Sequence, residues 1–417
     1  MANFQFTVRA TDSDGAYADR NFAITINNTR VERYMVIDNA NAYTSPDLVN
    51  WSTRNGQGGG DVAYGNSMWL IISTSYTTLT FVGGQAQLGS QSFGTNSFVV
   101  RKSPDGVNFS TMIQSALTFL KADGTAFVPP STNMVNGHLS FSNGFFWLPM
   151  SWGSQYGTGA NYTQYIARSP DGVTWTMLNT PQKGTFNYDS TYGHHFRTFA
   201  RVQDSGSDLF INNWGGGGTG ITATQYGWKS SDLGLTWTPV TDSTGKVNGN
   251  TNIYSANVQR INGLYLASTN VTPNVPFMIS NDGFNWSPCN AITAGWSTNY
   301  NVANVVYANG TLYAIASYPS VGGTTSTPIL TSTDGLNWTN TSPTYSNQAT
   351  TATIQSHPTL IYKNGYVITG QSAMSTTYRP LGYLFAGSTD PWTFPNGPTT
   401  GSTIPFGHVN GVAAMGS

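Results

Sequence analysis

The sequence is poor in charge, in cysteine and in glutamate. Charged residues make up 8% of the 417 residues, the formal net charge is −1, and Cys289 and Glu32 are the only cysteine and glutamate. A nearly neutral chain offers no electrostatic footprint for nucleic acid or for an anionic membrane. One cysteine excludes a disulfide within the chain. No apolar run reaches the length of a membrane span, and the first residues lack the pattern of a signal peptide.

One short phrase recurs along the chain. Its clearest copy is Ser332-Thr-Asp334-Gly335-Leu-Asn-Trp338, in which a serine, an aspartate, a glycine and an aromatic residue keep a fixed spacing. Asp side chains bond to backbone N–H groups two residues further on, and Gly supplies the positive φ that a tight turn needs. The phrase therefore predicts a hairpin turn whose aromatic residue opens the return strand. The seven aspartates of the phrase, spaced 50 to 66 residues apart, are Asp47, Asp105, Asp171, Asp232, Asp282, Asp334 and Asp390.

The pattern Ser-x-Asp-x-Gly-x-Thr/Asn-Trp resembles the Asp-box of the BNR-repeat β-propellers, a group that includes sialidases, xyloglucan-cleaving enzymes and sortilin-type receptors. The resemblance extends from about residue 34 to the C-terminus and implies an all-β propeller of the sialidase-like superfamily fold. Two copies depart from the pattern, because Leu48 follows Asp47 and Pro391 follows Asp390. Looser turns are expected there.

The repeat predicts seven blades. Residues 304–341 contain four strands, A to D, which is the content of one propeller blade. The C-terminal segment 408–415 has the pattern of strands A and B, and the region around Asp47 has the pattern of strands C and D. We therefore predict a seven-bladed β-propeller over residues 34–417, closed by N- and C-terminal strands that share one blade.

Residues 1–33 form a separate segment. Alternating apolar residues in 4–10 and 22–26 flank a turn at Asp12-Ser-Asp14-Gly15, which predicts a β-hairpin. The hairpin resembles the end of a phage or bacterial Ig-like (cadherin-like) module. Two strands alone are marginal in water, so the hairpin leans on the propeller, completes a sheet on another chain, or lacks upstream strands. We expect it to anchor the protein to a partner or a neighbouring subunit.

The long loops opposite the aspartate turns carry aromatic residues. Flat rings on loops above a rigid scaffold suit stacking on sugar rings, with Asn, Gln and Thr supplying hydrogen bonds. The same rings could instead pack between loops or against another subunit. The candidate glycan-binding residues are Trp152, Tyr156, Tyr162, Trp214, Trp296, Tyr300, Tyr318 and Tyr378.

The inventory of acidic residues argues against catalysis. The family resemblance implies that a sialidase needs an arginine cluster and a tyrosine activated by a glutamate, and Glu32 lies outside the predicted blades. Two aspartates could still hydrolyse a glycosidic bond, but no pair stands out among those near loops or strand starts. We predict a protein that is not an enzyme and has no catalytic residues. The aspartates considered are Asp61, Asp123, Asp189 and Asp242.

The five histidines lie in or just before strands predicted to be nearest the central channel. Imidazoles in a ring could hold a metal, but no acidic or cysteine cluster accompanies them, and a polar channel lining with water fits them better. No metal or other cofactor is predicted. The histidines are His138, His194, His195, His357 and His408.

Few charges, abundant Thr, Ser, Asn and Gly, and no disulfide favour a particle or surface protein. We predict a virion structural and recognition protein of a tailed phage, in a tail fibre, a baseplate or a capsid decoration. Residues 1–33 would contact other virion proteins, and the loop face would contact a host surface glycan; an oligomer is compatible with this arrangement. The alternatives are a glycan-cleaving glycoside hydrolase on a propeller scaffold and a fragment of a bacterial surface adhesin. Neither nucleic acid nor membrane insertion is expected.

Overall fold

The computed structural model describes only part of the chain, and the structural statements below concern that part. The described residues are 2–26, 32–74, 79–82, 85–88, 98–128, 134–136, 139–153, 161–185, 203–205, 208–212, 227–239, 258–261, 263–268, 275–281, 287–292, 301–317, 329–341, 359–370, 381–387, 393, 409 and 411–415.

These residues form β-strands and no α-helix, with one 3₁₀ turn at Gln114–Ala116. In chain order the strands are β1 (Ala2–Thr11), β2 (Tyr17–Ile26), β3 (Tyr34–Ile37), β4 (Ala42–Ser45), β5 (Ser52–Arg54), β6 (Asp61–Gly65), β7 (Met68–Thr74), β8 (Leu79–Val82), β9 (Gln85–Leu88), β10 (Phe98–Ser103), β11 (Ser110–Ile113), β12 (Thr118–Lys121), β13 (Met134–Asn136), β14 (Ser140–Ser142), β15 (Phe145–Gly153), β16 (Asn161–Ser169), β17 (Thr174–Thr185), β18 (Gln203–Ser205), β19 (Asp208–Asn212), β20 (Gly227–Ser230), β21 (Thr238–Pro239), β22 (Val258–Ile261), β23 (Leu264–Ser268), β24 (Phe277–Ser280), β25 (Ser287–Pro288), β26 (Asn301–Ala308), β27 (Thr311–Ser317), β28 (Ile329–Ser332), β29 (Thr339–Asn340), β30 (Thr359–Lys363), β31 (Tyr366–Gly370), β32 (Leu381–Phe385) and β33 (Gly411–Ala414).

Most strands belong to antiparallel sheets whose members follow one another along the chain. The sheets β6-β7-β10-β11, β18-β19-β20-β21, β22-β23-β24-β25 and β26-β27-β28-β29 have four strands each, and β30-β31-β32 has three described strands. The sheet of β14 to β17 is larger, because β13 extends its first edge and β12 adds a parallel strand beside β17. Two small sheets, β1-β2 and β8-β9, stand beside these.

The first strands of successive sheets contact one another in a closed series. β6 contacts β14, β14 contacts β18, and the series continues through β22, β26, β30 and β33 before β33 returns to β6. A ring of radial sheets whose innermost strands adjoin is the architecture of a β-propeller. Closing the ring leaves no long strand edge on the inner wall.

The closing sheet differs from the prediction in how the two chain ends share it. Its order is β33-β3-β4-β5, so the C-terminal part supplies one strand and the N-terminal part supplies three. The predicted division was two and two. Gly411 begins β33 and pairs with Ile37. The backbone N–H of Met415 then donates to the carbonyl of Arg33 over 2.8 Å, which extends the pairing between the two ends of the ring.

The core lies between neighbouring sheets. Leu70, Phe98, Phe146 and Trp175 are fully buried in one such layer, where the rings of Phe98 and Trp175 meet edge to face at 6.3 Å. Burying an aromatic side chain removes about 150–250 Å² of surface from water. The hydrophobic effect acting on these layers therefore holds the sheets against one another.

Each described aspartate turn is a closed network of hydrogen bonds. At Asp334, Oδ1 accepts from the Ser332 hydroxyl at 3.0 Å and from the backbone N–H groups of Leu336 and Asn337 at 2.8 and 2.7 Å. Oδ2 accepts from the side-chain amide of Asn337 at 2.7 Å, and the N–H of Gly335 donates to the Ser332 hydroxyl at 2.8 Å. The turn therefore satisfies its own polar groups with little help from the rest of the sheet.

The same serine–aspartate bond recurs in the other described turns, at Asp47, Asp105, Asp171 and Asp232. The turn at Asp47 is not looser, contrary to expectation. Leu48 adopts a φ of 67°, and Asp47 Oδ1 still accepts from the N–H groups of Val49 and Asn50. Leu48 is 1% exposed in the core between sheets, so burial of its side chain offsets the strain of the positive φ. Asp282 and Asp390 lie outside the described residues.

The glycine of the turn also makes room for the neighbouring sheet. A Cβ placed on Gly335 would overlap the Cδ2 of Leu264, and one placed on Gly172 would overlap the Cδ1 of Leu70. Gly310, in the turn between β26 and β27, has a positive φ of 84° but nothing within 4 Å of an added Cβ. Gly172 and Gly335 are therefore needed both for their positive φ and for the space that they leave, whereas Gly310 is needed only for its positive φ.

Gly335→Ala is expected to destabilise the protein more than Gly310→Ala. Both substitutions force alanine into a left-handed conformation, which lowers the free energy of unfolding by about 1–2 kcal/mol. Gly335→Ala also pushes a methyl group into Leu264, which costs about 1–3 kcal/mol more. Urea unfolding of the two variants measures the difference. Equal losses would show that Leu264 moves aside freely.

Candidate functional site

The hydrogen bonds of Asn66 define the two faces of the ring. Asn66 lies in the turn between β6 and β7, and its side-chain amide donates at 2.8 Å both to Gly144, in the turn between β14 and β15, and to Pro170, in the turn between β16 and β17. The turns that follow first strands and the aspartate turns therefore share one face. The opposite face carries the segments that enter the innermost strands, and two buried carboxylates lie there.

Asp61 begins the innermost strand β6 and is 4% exposed. Its Oδ1 accepts from the N–H of Val62 at 2.8 Å, and its Oδ2 accepts from the N–H of Leu139, at the start of the next sheet, at 2.9 Å. Asn304 in β26 makes an analogous connection, because its amide donates to the carbonyl of Leu360 over 2.9 Å. Asp61 thus binds two adjoining innermost strands together.

Asp38 lies in the turn between β3 and β4 and is 7% exposed. Its Oδ1 accepts from the N–H groups of Ala40 and Asn41, at 2.7 and 2.6 Å, and its Oδ2 accepts from the Tyr43 hydroxyl at 2.7 Å. Burial, followed by the hydrogen bond to Asp38, raises the pKa of Tyr43 to about 12. The tyrosine therefore stays a neutral donor at physiological pH.

A run of three glycines connects Asp61 to the backbone of Asp38. The N–H of Gly59 donates to the Asp38 carbonyl at 2.8 Å, and Asp61 follows two residues later. A Cβ on Gly58 would overlap the backbone of Ala40 and Asn41, so the chain passes here only because it lacks side chains. We call Asp38, Tyr43, Gly58–Gly60 and Asp61 the seam site, because it lies where the closing sheet meets the next one.

Arg101 adds a cation beside the seam site. Its guanidinium donates to the Gly58 carbonyl at 2.9 Å, and burial lowers the pKa of Arg101 from its ordinary value. The seam site thus combines two carboxylates, a phenol and a guanidinium on the face opposite the aspartate turns. Carboxylate pairs can act as acid and base on a glycosidic bond, and all of these groups can hydrogen-bond sugar hydroxyls.

Sequence reasoning considered Asp61, placed Glu32 outside the blades and missed Asp38. Glu32 is not outside the ring: it is 1% exposed, and its Oε1 lies 3.2 Å from the guanidinium of Arg54 in the closing sheet. The sequence did contain a signal for Glu32, because it is the only glutamate and precedes an apolar strand. A buried carboxylate at such a place needs a cation as its partner. For Asp38 the signal was the Asp-Asn-Ala-Asn sequence of a tight turn.

Two of the predicted glycan-binding residues lie in described strands. Trp152 is in β15 and Tyr162 is in β16, where the register pairs Trp152 with Thr163 and Tyr162 with Gly153. The two residues occupy adjacent rungs of the ladder, not facing positions. The other six lie outside the described residues: Tyr156, Trp214, Trp296, Tyr300, Tyr318 and Tyr378.

The remaining candidates contribute little to the site. Asp123 is exposed and holds a tight turn, since its Oδ1 accepts from the N–H and the hydroxyl of Thr125 at 2.9 and 2.7 Å. Asp189, Asp242 and all five histidines lie outside the described residues. Within the described ranges, no three His, Cys, Asp or Glu residues lie together as a metal site would require. No helix in the same ranges is long and apolar enough to cross a membrane.

Comparison with known proteins gives similarity of structure only. No family model matches the chain, and no curated protein matches its sequence. The solved structures similar to it include a GH74 xyloglucanase from Xanthomonas campestris (15% identity, 60% of this chain and 36% of that one, TM-score 0.37). They also include an acylaminoacyl peptidase from Pyrococcus horikoshii (7% identity, 89% of this chain and 56% of that one, TM-score 0.42). A third is a GH32 β-fructofuranosidase from Bombyx mori (10% identity, 89% of this chain and 66% of that one, TM-score 0.34). The chain thus spans between about a third and two thirds of these proteins' lengths.

Most of the similar structures are glycoside hydrolases, and this contradicts the prediction that the chain is not an enzyme. That prediction was drawn from the missing sialidase residues and from the lack of an evident pair of aspartates. A chain that lacks the sialidase residues can still be a hydrolase that uses a different pair of carboxylates. At 7–15% identity the likeness itself concerns the fold.

Acid is expected to weaken the aspartate turns. The backbone N–H and then the side chain of Asn337 lower the pKa of Asp334 to about 2, against an opposing effect of burial. Because the folded-state pKa lies below the ordinary value of 3.8, this carboxylate stabilises the fold above about pH 4 and ceases to do so as the pH falls towards 2. The melting temperature should therefore fall between pH 4 and pH 2.

The variant Asp334→Asn is expected to melt lower at pH 5 and to lose less on acidification than the unchanged protein. Asp14→Asn, in the exposed hairpin turn, controls for the loss of one negative charge. If all three proteins show the same acid dependence, the turn carboxylate is not the titrating group.

Proposed function

We propose that the chain is a glycoside hydrolase built on a seven-bladed β-propeller, with Asp38 and Asp61 as its acid and base pair. The observation that carries the proposal is the seam site, where two buried carboxylates that belong to none of the repeated aspartate turns lie on the loop face, Asp38 in the turn between β3 and β4 and Asp61 at the start of β6. Glycoside hydrolysis commonly requires two carboxyl groups flanking the scissile bond. The names of the similar structures, which include a xyloglucanase and a β-fructofuranosidase, agree with this chemistry.

The blade number and the Asp-box kinship belong to the same proposal. The closed series of first strands supports seven blades, since each strand of the series opens its own sheet. The recurring bond from serine to aspartate, with a positive φ at the next residue or the one after it, supports kinship with Asp-box propellers.

In the proposed reaction one carboxyl of the seam site would protonate the leaving glycosidic oxygen, while the other carboxylate takes a proton from the water that attacks the sugar carbon. Both side chains are now held by backbone donors and by the Tyr43 hydroxyl. A substrate would therefore compete with these donors for the carboxylate oxygens.

Removing either carboxylate is expected to abolish glycan cleavage. The purified protein would be incubated with a panel of polysaccharides, and new reducing ends would be measured. Asp61→Asn and Asp38→Asn should each lower the rate by about 10²–10⁴-fold, the usual contribution of a general acid or base.

Asp123→Asn is the matched control, because Asp123 is an exposed aspartate engaged only in its own turn. Thermal melts of all variants separate lost chemistry from lost folding. Equal rates in folded Asp61→Asn, Asp38→Asn and unchanged protein would exclude the seam site as the catalytic centre.

A second candidate is glycan recognition by a phage virion protein. The observations that favour it are the low charge, the abundance of Thr, Ser, Asn and Gly, and the exposed turn end of the N-terminal hairpin, residues 9–20, which is suited to anchoring in a particle. In this proposal residues 1–33 contact other virion proteins and the aromatic loop residues contact the host glycan.

A glycan array tests this candidate with the unchanged protein and with a Trp152→Ala, Trp214→Ala double variant. Binding that the double variant loses by about tenfold or more would place recognition on the loop face, since stacking on an aromatic ring contributes about 1–3 kcal/mol. Binding that is equal in both proteins would remove these two residues from the recognition surface.

A further inference from the structure

We propose that Glu32 is a latch that keeps the ring closed, and that strand β33 is the first part of the propeller to detach when the latch is lost. Glu32 lies two residues before β3, the strand to which β33 pairs. The device is independent of catalysis at the seam site, because Asp38 follows β3 at its other end.

Strand β33 is held by few interactions. It pairs with β3 alone, from Gly411–Ile37 to Ala414–Tyr34, and it lies beside β6 and β30, the innermost strands of the adjoining sheets. Its side chains are those of glycine, valine and alanine, so it buries little apolar area. Strands with few buried contacts open locally at the lowest free energy.

Glu32 positions the carbonyl that receives the last hydrogen bond of the closing pair. The carbonyl of Arg33 accepts from the N–H of Met415 at 2.8 Å, and the N–H of Arg33 donates to the Ser45 carbonyl at 2.9 Å. One residue earlier, the Glu32 side chain is buried, and its Oε1 accepts from the guanidinium of Arg54 at 3.2 Å. The backbone beside Met415 therefore cannot turn outwards unless this ion pair breaks.

The latch also connects the closing sheet with the next sheet. The Nε of Arg54, in β5, donates to the hydroxyl of Thr44, in β4, at 3.1 Å. On its other side Glu32 packs against the aspartate turn between β10 and β11, where a Cβ added to Gly106 would lie 3.1 Å from the Cβ of Glu32 and 3.3 Å from the Nε1 of Trp69. Glu32 thus lies among the start of β3, the outer strand β5 and the neighbouring sheet.

Removing the carboxylate of Glu32 leaves the guanidinium of Arg54 without its charged partner, in a place where only 20% of the arginine side chain is exposed. Breaking one side of a buried ion pair is strongly destabilising, because the remaining charge is neither paired nor fully hydrated. Water reaches this charge when the residues before β3 move outwards. That movement breaks the bond from Met415 to Arg33, and β33 then loses its attachment.

The test is hydrogen exchange of the full chain, followed by mass spectrometry of peptides that cover residues 411–415 and strand β27. In the unchanged protein, the amides of residues 411–415 are expected to exchange faster than those of β27. Glu32→Gln removes the charge and keeps the shape of the side chain. It should accelerate exchange at residues 411–415 by about tenfold or more and leave β27 unchanged.

The matched control is Asp19→Asn, which breaks the exposed ion pair between Arg9 and Asp19 in the hairpin and should leave residues 411–415 unchanged. Glu32→Asp is a milder second variant that keeps the charge but withdraws it from Arg54, and it should accelerate exchange at the same residues by a smaller factor. Thermal melts show whether each variant is folded.

Two results would overturn the proposal. One is exchange at residues 411–415 that is as slow as in β27 in the unchanged protein. The other is a folded Glu32 variant whose exchange is unchanged, or is accelerated equally in all sheets, because a latch acts on one strand whereas general destabilisation acts on the whole ring.

Discussion

The fold depends on the hydrogen-bonded aspartate turn. Within a few residues it satisfies a carboxylate, a serine hydroxyl and several backbone N–H groups, so a hairpin end needs no help from water or from a distant side chain. The turn also determines packing between sheets, because Gly172 and Gly335 leave room for Leu70 and Leu264 of the neighbouring sheet. A change in backbone conformation at the turn therefore alters the packing of side chains in the core. The same few residues shape each sheet and set its distance from the next one.

Most of the fold that could be predicted from the sequence was predicted from the residues of the aspartate turns. Asp and Gly act through short-range geometry, and Asp334 in the structure makes the bonds that its residue type implies. Sequence could not assign the closing strands, since the apolar run Tyr34–Ile37 is equally compatible with a second or a third strand of a blade. The choice depends on long-range pairing with Gly411–Ala414. Leu48 was misjudged for a similar reason, because the burial that permits its positive φ comes from residues far away in the chain.

The candidate site was only half visible in the sequence. Asp61 could be noticed as an aspartate outside the aspartate turns, but Asp38 comes from a different sheet, and the link between them is a backbone hydrogen bond from Gly59 to the Asp38 carbonyl. A carboxylate held by backbone N–H groups looks the same in sequence whether it supports the fold or awaits a substrate. The aromatic residues proposed for the loop face were easier to notice, and Trp152 and Tyr162 lie on adjacent rungs of the ladder between β15 and β16.

The bond between Arg33 and Met415 has a mechanical consequence. The chain enters and leaves the ring at one point, so tension applied through both ends acts directly across a four-residue strand and does not pass through the other sheets. The two ends also lie close enough for the ring to be carried as an insertion within another protein without stretching either attachment. If the N-terminal hairpin is fixed to a surface, the attachment meets the ring at Arg33, beside Ser45 and the aspartate turns, whereas the seam site lies at the opposite end of β3 and faces away from that surface.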